Sequence, residues 1–302
     1  MIGSSMAQIE HALERSMLLP HSRVLRFDSD PLVMGILNVT PDSFYDGGRF
    51  CDLHAAIAHA QRMAEAGADL LDIGAESSRP GALPISHEEE LRRLIPVVES
   101  VCRVVSIPVS VDTTKAVVAR RALEAGAAII NDISALRGDP GMAQVVAEVG
   151  AGFVMMHMQG TPQTMQQAPT YTDVVEEIRV FFVERIAAAE RAGIARTRIM
   201  LDPGIGFGKL KQHNLTLLAN LGAFTTLGCP VLVGVSRKSF ISQVLERSVD
   251  DRAFGTAAAV AMAIERGASV VRVHDVAEMR DVVKIVDAIR RQTSPTVRRH
   301  HA

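Results

Sequence analysis

Four segments of the chain share one pattern, in which a helix-like stretch ends at Gly-Ala and leads into an apolar run. The segments are EAGADLLDIGAES, EAGAAIINDIS, EVGAGFVMMHMQG and ERGASVVRVHD. Glycine commonly closes a helix in the left-handed conformation, and a short apolar run is typical of a strand that a parallel sheet buries on both faces. The polar residues after each run are therefore expected at the carboxyl end of a strand.

The same alternation continues along the whole chain. Strand-like runs lie at 32–37, 69–73, 108–111, 128–131, 152–157, 198–201, 230–235 and 269–273. Helical patterns lie at 53–66, 87–101, 115–125, 140–149, 173–192, 211–221, 252–266 and 275–291. Eight such α/β units predict a single (β/α)₈ TIM barrel with its active site at the C-terminal ends of the strands. A doubly wound open sheet is the alternative, and the count of eight favours the barrel.

Length and composition agree with one barrel domain. The chain has 302 residues, of which 48% are hydrophobic, so it can bury a large core. We assign residues 31–292 to the barrel. Residues 1–30 are predicted to be a loosely packed N-terminal lead-in, and residues 293–302 a disordered tail.

Charge and cysteine content limit the environment and the partners. A net charge of −2 gives no general attraction to nucleic acid or to a membrane surface. No apolar run approaches the roughly 20 residues of a membrane span. Cys51, Cys102 and Cys229 are isolated and form no zinc pattern. With no apolar signal core at the N-terminus, these features predict a cytoplasmic protein.

Polar residues follow the predicted strands. In chain order they are Asn38, Glu76, Asp112, Asn131 with Asp132, His157, Asp202, Ser236 to Lys238, and Arg272 with His274. A helix cap or a turn explains each one alone, but the carboxyl ends of barrel strands meet at one mouth. Asp72 lies inside its strand, and we predict no site role for it. His157 keeps two interpretations, as a site residue or as a structural histidine.

The loop Asp202-Pro-Gly-Ile-Gly-Phe-Gly-Lys209 resembles a phosphate-binding loop but fits neither common pattern. A Walker loop requires glycine at 203 and Ser or Thr at 210, where this chain has Pro203 and Leu210. The GxGxxG pattern requires glycine at position 209. We predict instead that these glycines bring the backbone close to a flat ligand beside Asp202.

The mouth residues form two chemical groups. Asp112, Asn131 and Asp202 offer oxygens to a guanidine-like edge with adjacent N–H donors. The second group, which suits an oxyanion together with a hard cation, is Asn38, Arg79, Arg272 and His274. The residues alone therefore predict a flat, nitrogen-rich ring that carries a phosphate group.

Eight segments resemble, in the same order, the motifs of bacterial dihydropteroate synthases. They are MGILNVTPDSFYDGG, DIGAESSRPGA, VSVDTTK, INDIS, MMHMQGTP, LDPGIGFGK, GVSRKSFI and RVHDV, and they extend from about residue 32 to 290. NVTPDSF and SRKS are specific to these synthases. The LDPGIGFGK and RVHDV motifs occur more widely among pterin-binding barrels. One departure is Ser78, where threonine is frequent. A hydroxyl is retained, so we expect an altered affinity and not a loss of function.

The resemblance implies an enzyme of folate biosynthesis. It implies that 6-hydroxymethyl-7,8-dihydropterin diphosphate is joined to 4-aminobenzoate, giving 7,8-dihydropteroate and pyrophosphate, by dissociative displacement at the pterin methylene. The implied catalytic residues are Asn38, Asp112, Lys238 and Arg272, and Mg²⁺ is the implied cofactor, bound at Asn38. A homodimer formed through the last helices and inhibition by sulfonamides are implied as well.

The same resemblance assigns the substrate-binding residues. Those expected at the diphosphate are Ser78, Arg79, Arg272 and His274. Those expected at the pterin are Asp112, Asn131, Asp202, Lys238 and Arg272, with Met156 behind the ring. Ser239 and Phe44 are expected to border the aminobenzoate. Loops 39–52 and 74–86, rich in glycine and proline, are predicted to become ordered around the ligands and to exclude water.

Two alternative functions share parts of this pattern. A pterin-dependent corrinoid methyltransferase has the same barrel, but it binds no diphosphate and does not require NVTPDSF together with SRKS. A non-catalytic pterin-binding paralogue is expected to have lost the motif residues in the loops after the first two strands. Both loops keep their motif residues here. The synthase interpretation is therefore favoured.

Overall fold

The structure, a computed structural model, describes residues 16–27, 30–39, 49–248 and 251–293. Its strands are β1 Ser16–Leu18, β2 Val24–Arg26, β3 Leu32–Asn38, β4 Leu70–Gly74, β5 Val109–Asp112, β6 Ile129–Asp132, β7 Gly152–Met156, β8 Ile199–Asp202, β9 Leu232–Val233 and β10 Val270–Val273. Its α-helices are α1 Arg49–Glu65, α2 His87–Val104, α3 Ala116–Glu124, α4 Met142–Val149, α5 Val174–Arg191, α6 Lys211–Ala219, α7 Gly222–Thr225, α8 Ser239–Leu245, α9 Ala253–Glu265 and α10 Val276–Thr293.

Strands β3 to β10 form one parallel sheet that curves into a barrel. The strand order is β8-β7-β6-β5-β4-β3-β10-β9. Between β8 and β9 the sheet is joined by a parallel bridge of Leu201 with Val231, where the N–H of Leu201 donates to the carbonyl of Pro230 at 2.9 Å. The barrel is nearly closed, and the predicted (β/α)₈ fold is confirmed.

The N-terminal segment is packed more tightly than predicted. Residues 16–27 contain an antiparallel hairpin, with Leu18 of β1 opposite Val24 of β2. Met17 and Leu25 are buried in one cluster with residues from the amino-terminal ends of the barrel strands, among them Leu70. The prediction of a loosely packed lead-in was therefore wrong for these residues, because their apolar side chains cover the amino-terminal end of the barrel.

The seventh barrel strand is shorter than predicted, and the helix that follows it lies outside the eight helical patterns given above. The pattern at 230–235 predicts six residues of strand, but β9 spans only Leu232–Val233. The chain then turns, because the N–H of Lys238 donates to the carbonyl of Val235 at 3.3 Å. Arg237 takes a φ of +59° in this turn. As a result Lys238 faces the mouth immediately before α8.

The register of the parallel strands brings their carboxyl ends to one level. Gly74 at the end of β4 pairs with Asp112 of β5, and Asp112 pairs with Asn131 of β6. Met156 of β7 pairs with Asp202 of β8. The polar residues that follow the strands therefore surround one barrel mouth, as predicted. Among the described helices, none has the length and apolar character needed to cross a membrane.

Candidate active site

Asp72, in the middle of β4, connects two residues of the mouth. Its side chain is fully buried. Its Oδ2 accepts a hydrogen bond from Arg272 Nε at 2.7 Å and one from Asn131 Nδ2 at 3.0 Å. The sequence analysis predicted no site role for Asp72, and the structure places it in contact with two residues that were predicted for the site. The signal was present, because a carboxylate inside an apolar strand is rarely buried without a cationic partner.

Arg272 lies between two carboxylates. Besides its bond to Asp72, its Nη2 approaches Asp112 Oδ2 at 3.6 Å. Burial and the charge of Asp72 raise the pKa of Asp112 to about 7, while Arg272 opposes this shift. One guanidinium does not neutralise both the buried carboxylate of Asp72 and the half-buried carboxylate of Asp112, so Asp112 retains a proton over part of the neutral range.

Asp202 and Lys238 form the opposite side of the mouth. Asp202 Oδ1 accepts from the backbone N–H of Gly204 at 2.7 Å. Burial raises the pKa of Asp202, while this bond and the charge of Lys238 oppose the shift. Burial lowers the pKa of Lys238 to about 8 against the attraction of Asp202. The ammonium of Lys238 lies 4.0 Å from the centre of the Phe207 ring, so it is held over that aromatic face.

Two acceptor oxygens of the mouth lack a hydrogen-bond partner within the described part of the chain. Asp72 Oδ1 and Asn131 Oδ1 are both buried, and no hydrogen bond reaches either of them from the residues that the structure describes. Buried acceptors are normally satisfied in folded proteins. Their arrangement beside Asp112 therefore suits a ligand that brings its own N–H donors.

The glycines of the 202–209 loop approach the protein's own backbone. Gly204 has a φ of +69°, and a Cβ there would lie 1.9 Å from the carbonyl oxygen of His157. At Gly208 a Cβ would lie 2.5 Å from the carbonyl oxygen of Gln159. The close approach that the sequence indicated thus serves first to pack this loop against the segment after β7.

Lys209 and His157 stabilise that packing. Lys209 is buried, and its Nζ lies 3.0 Å from His157 Nδ1 and donates to the carbonyl of Phe207 at 2.9 Å. The His157 ring also packs edge-on against Phe181, with ring centres 4.8 Å apart. Burial lowers the pKa of His157, and the charge of Lys209 lowers it further. These contacts support the structural interpretation of His157.

Substituting Gly204 by alanine tests this packing. We expect Gly204→Ala to lower the free energy of unfolding by about 2–5 kcal/mol, because it combines left-handed strain with overpacking. Gly228→Ala is a matched control, since Gly228 has a φ of +74° but a Cβ there would have nothing within 4 Å. The measurement is urea unfolding of both variants, and equal losses would show that the contact with His157 is unimportant.

His274, which follows β10, has an imidazole that the surrounding residues keep neutral. Its Nδ1 lies 2.9 Å from Ser236 Oγ, which also accepts from the backbone N–H of His274 at 3.2 Å. Burial, with help from the charge of Arg272, lowers the pKa of His274 to about 4. The ring is therefore uncharged at neutral pH, so a contact between it and an anion would be a hydrogen bond and not an ion pair.

Loop 74–86 carries Ser78 and Arg79 and has internal support. Glu76 Oε1 accepts from the N–H of Ile85 at 3.0 Å, and the N–H of Gly81 donates to the carbonyl of Pro162 at 3.0 Å. The sequence predicted a loop that ligands must order, and these bonds show that part of its shape is set by the protein. Ser78 is half-buried and Arg79 is exposed.

Two cavities are lined in part by residues of this loop. One, of about 420 Å³, is lined by Ser78, Asp112 and Met158 among others. The second, of about 520 Å³, is lined by Pro80 and Ser239 among others. The mouth therefore offers separate spaces next to Asp112 and next to Ser239.

Asn38 and Met156 each end a barrel strand at the mouth. Asn38 is the last residue of β3 and pairs with Gly74. Met156 is buried in a small apolar cluster with Ile133 and Met158. Phe44, with the rest of 40–48, lies outside the described residues.

Comparison with known proteins identifies the family. The chain matches the family model for pterin binding enzymes over residues 34–274. It is 49% identical over 260 residues to dihydropteroate synthase of Escherichia coli K12, which covers 86% of this chain and 92% of that relative. The chain belongs to the dihydropteroate synthase family. The Bacillus subtilis member is 43% identical over 282 residues, covering 93% of this chain and 96% of that one.

Solved structures of family members agree with this fold. A Xanthomonas albilineans dihydropteroate synthase with 4-aminobenzoic acid matches at a TM-score of 0.85 and 48% identity, covering 92% of this chain and 100% of that one. The same enzyme in complex with 7,8-dihydropteroate matches at a TM-score of 0.81 and 47% identity, covering 90% and 97%. The Yersinia pestis enzyme in a sulfonamide drug complex matches at 0.85 and 46%, covering 90% and 98%. The family resemblance that the motifs indicated is confirmed.

Proposed function

We propose that this chain is a dihydropteroate synthase that condenses 6-hydroxymethyl-7,8-dihydropterin diphosphate with 4-aminobenzoate, forming 7,8-dihydropteroate and pyrophosphate. The observation that carries the proposal is the largely buried cluster of Asp72, Asp112, Asn131 and Arg272, in which two acceptor oxygens receive no hydrogen bond from any described residue. The family relationship identifies the ligand that fits it. Neither the methyltransferase nor the non-catalytic alternative is favoured by a feature of this mouth.

The pterin ring is recognised through its N–H donors. The carboxylates of Asp112 and Asp202 and the free oxygen of Asn131 accept from the guanidine-like edge of the ring, which presents several donors in one plane. Lys238 donates to the polar edge on the other side, and the guanidinium of Arg272 covers the ring face. Met156 closes the pocket behind it.

The residues present fit a magnesium ion that arrives with the diphosphate. Among the described residues no group of three or more His, Cys, Asp or Glu side chains is placed to hold a metal by itself. Mg²⁺ is commonly held by one or two protein oxygens together with phosphate oxygens and water, and Asn38 supplies such an oxygen. When bound, the ion neutralises charge that develops on the leaving pyrophosphate.

Loss of pyrophosphate is the difficult step, and the protein assists it electrostatically. The aromatic amine of 4-aminobenzoate is neutral near pH 7 and needs no base before it attacks. Arg272 and Arg79 offset the negative charge of the leaving group, while Ser78 and neutral His274 donate hydrogen bonds to it. The electron-rich ring, held by Asp202, spreads the positive charge of the methylene.

The second substrate, 4-aminobenzoate, lies at the side of loop 74–86 that borders Ser239. Ser239, at the start of α8, borders the aminobenzoate. The family resemblance implies Phe44 for the same site, and Phe44 lies outside the described residues. Loop 74–86 excludes water, which otherwise captures the methylene cation. A sulfonamide resembles 4-aminobenzoate in shape and competes for the same space.

The reaction is tested by product analysis. Purified protein with Mg²⁺ and the pterin diphosphate is expected to release pyrophosphate only when 4-aminobenzoate is added, with one 7,8-dihydropteroate formed for each pyrophosphate. Release that is independent of 4-aminobenzoate, or no release, would overturn the proposal. Methyl transfer from a methylated pterin, measured in parallel, tests the corrinoid alternative.

Binding of the pterin should depend on pH through Asp112. Because its pKa is raised to about 7, the accepting carboxylate is present above pH 7 and is lost as the pH falls through that value. We expect the affinity for 6-hydroxymethyl-7,8-dihydropterin to fall roughly tenfold from pH 8 to pH 6. Calorimetric titration measures this. The dependence should be much weaker in Asp112→Asn, and a flat profile in the wild type would contradict the assignment.

A homodimer is proposed on the basis of an exposed apolar face on the last helices. Phe254 of α9 is 91% exposed, and Met262 of α9 with Ile285 and Ile289 of α10 are also exposed. An apolar face of this kind on a protein of the cytoplasm, where we place the enzyme, commonly marks a subunit contact. Light scattering should report a dimer for the wild type and a monomer for Phe254→Glu. Val180→Glu, on the exposed side of α5, is the control that remains dimeric.

A further inference from the structure

Lys115, three residues after Asp112, joins the end of β5 to loop 74–86. Its Nζ lies 2.5 Å from Glu76 Oε2 and 2.5 Å from Glu90 Oε2. Glu76 belongs to loop 74–86, and Glu90 lies in the first turn of α2. One ammonium therefore links three consecutive structural elements around the mouth.

The position of Lys115 is itself fixed from the site side. Its backbone N–H donates to Thr113 Oγ1 at 3.2 Å, and the N–H of Thr113 donates to the carbonyl of Asn131 at 3.1 Å. Lys115 is thus held by the same segment that carries Asp112 and contacts Asn131.

On the loop side, Glu76 uses both carboxylate oxygens. Oε2 binds Lys115, and Oε1 accepts from the N–H of Ile85 nine residues later. This hydrogen bond connects the two ends of the segment 76–85. Ser78 and Arg79 lie between these ends in the chain. The position of segment 76–85 relative to β5 then depends on the contact between Glu76 and Lys115.

The ammonium is also needed electrostatically. Glu90 has no exposed side-chain surface, and its Oε1 has no hydrogen-bond partner among the described residues. Glu76 is only 21% exposed. Without Lys115, two carboxylates with little access to water would repel each other, and the loop would be expected to move outwards.

We infer that Lys115 is a positioning residue, which sets the distance between the pterin-binding end of β5 and the diphosphate-binding residues Ser78 and Arg79. Lys115 itself touches no substrate. It acts by holding loop 74–86 where Arg79 reaches the diphosphate of a pterin whose ring is bound at Asp112. This inference rests on the proposed function.

The test separates diphosphate binding from ring binding. In Lys115→Met, we expect kcat/KM for the pterin diphosphate to fall at least tenfold. The affinity for 6-hydroxymethyl-7,8-dihydropterin, which has the ring but no diphosphate, should change less than threefold at pH 8.5, where Asp112 is ionised. Equal losses for both ligands, or no loss for either, would overturn the inference.

A double-mutant cycle tests whether Lys115 acts through Arg79. The combined variant Lys115→Met with Arg79→Met should lose little more kcat/KM than Arg79→Met alone, because both remove the same contact. Independent losses that multiply would contradict the inference. If Lys115→Met does not fold, Glu76→Gln weakens the same link and should give a loss in the same direction, of at least threefold.

Two controls make the outcomes distinguishable. Arg120→Met removes the cation of an exposed ion pair with Glu148 on the neighbouring helices and should leave both ligands unaffected. Lys115→Met with Glu90→Gln restores the net charge of the cluster but not the link. If that variant regains full activity, charge alone matters and positioning is overturned. Failure of the wild type to release pyrophosphate would instead refute the proposed function.

Discussion

Replacing Arg272 by methionine is expected to lower kcat/KM for the pterin diphosphate by roughly 10²- to 10⁴-fold. Removing one preorganised group that stabilises developing charge costs about 3–4 kcal/mol of transition-state stabilisation, and the variant also leaves Asp72 buried with its charge unpaired. It also removes the cation between Asp112 and the diphosphate. Steady-state kinetics on the folded variant measures the effect.

A matched control separates this effect from general destabilisation. Arg280, on α10, forms a comparable half-buried pair with Asp69 near the opposite end of the barrel. Arg280→Met should lose stability but keep kcat/KM in the folded fraction. A loss below about threefold in Arg272→Met, or equal losses in both variants, would contradict the role of Arg272.

Asp202→Asn is expected to weaken binding of 6-hydroxymethyl-7,8-dihydropterin by about 2–4 kcal/mol, because a donor replaces an acceptor that faces the ring's N–H groups. The loop itself should persist, since the amide oxygen still accepts the bond that Asp202 Oδ1 now receives from Gly204 at 2.7 Å. Calorimetry at pH 8 measures the affinity.

The control for this substitution is Asp139→Asn. Asp139 accepts from the N–H of Gly141 in the turn before α4 and from the N–H of Ala116 at the start of α3, both at 2.8 Å. The same chemical change there should leave pterin affinity unaltered. Unchanged affinity in Asp202→Asn would exclude Asp202 from the pterin pocket.

The barrel and the level of the mouth residues were predictable because they depend on local patterns. Apolar runs of four to six residues alternate with helical periodicity, and parallel strands place whatever follows them at one end. Asp112 and Asp202 each end a strand, so the pattern alone brings them to one mouth. The shortening of β9 was not predictable in this way, because the turn at Arg237 has no distinctive sequence.

The partners of buried charges could not be read from the sequence. Asp72 bonds Arg272, 200 residues away in the chain, and no local pattern specifies that pair. The sequence did show a carboxylate, Asp72, inside an apolar strand. This pattern predicts that the carboxylate has a partner but does not identify that partner. The β1–β2 hairpin was missed for a related reason. It is stabilised by packing against the end of the barrel that it covers, and its own strands are too short to give a clear pattern.

A crystal structure with 7,8-dihydropteroate, pyrophosphate and Mg²⁺ tests the central claim most directly. We predict that the pterin ring lies within the barrel mouth, with its N–H donors about 2.7–3.2 Å from the oxygens of Asp112, Asn131 and Asp202. Arg272 should lie between the ring and the pyrophosphate. A ring bound elsewhere, for example in the cavity between Ser78 and Met158 without contact to Asp202, would contradict this account.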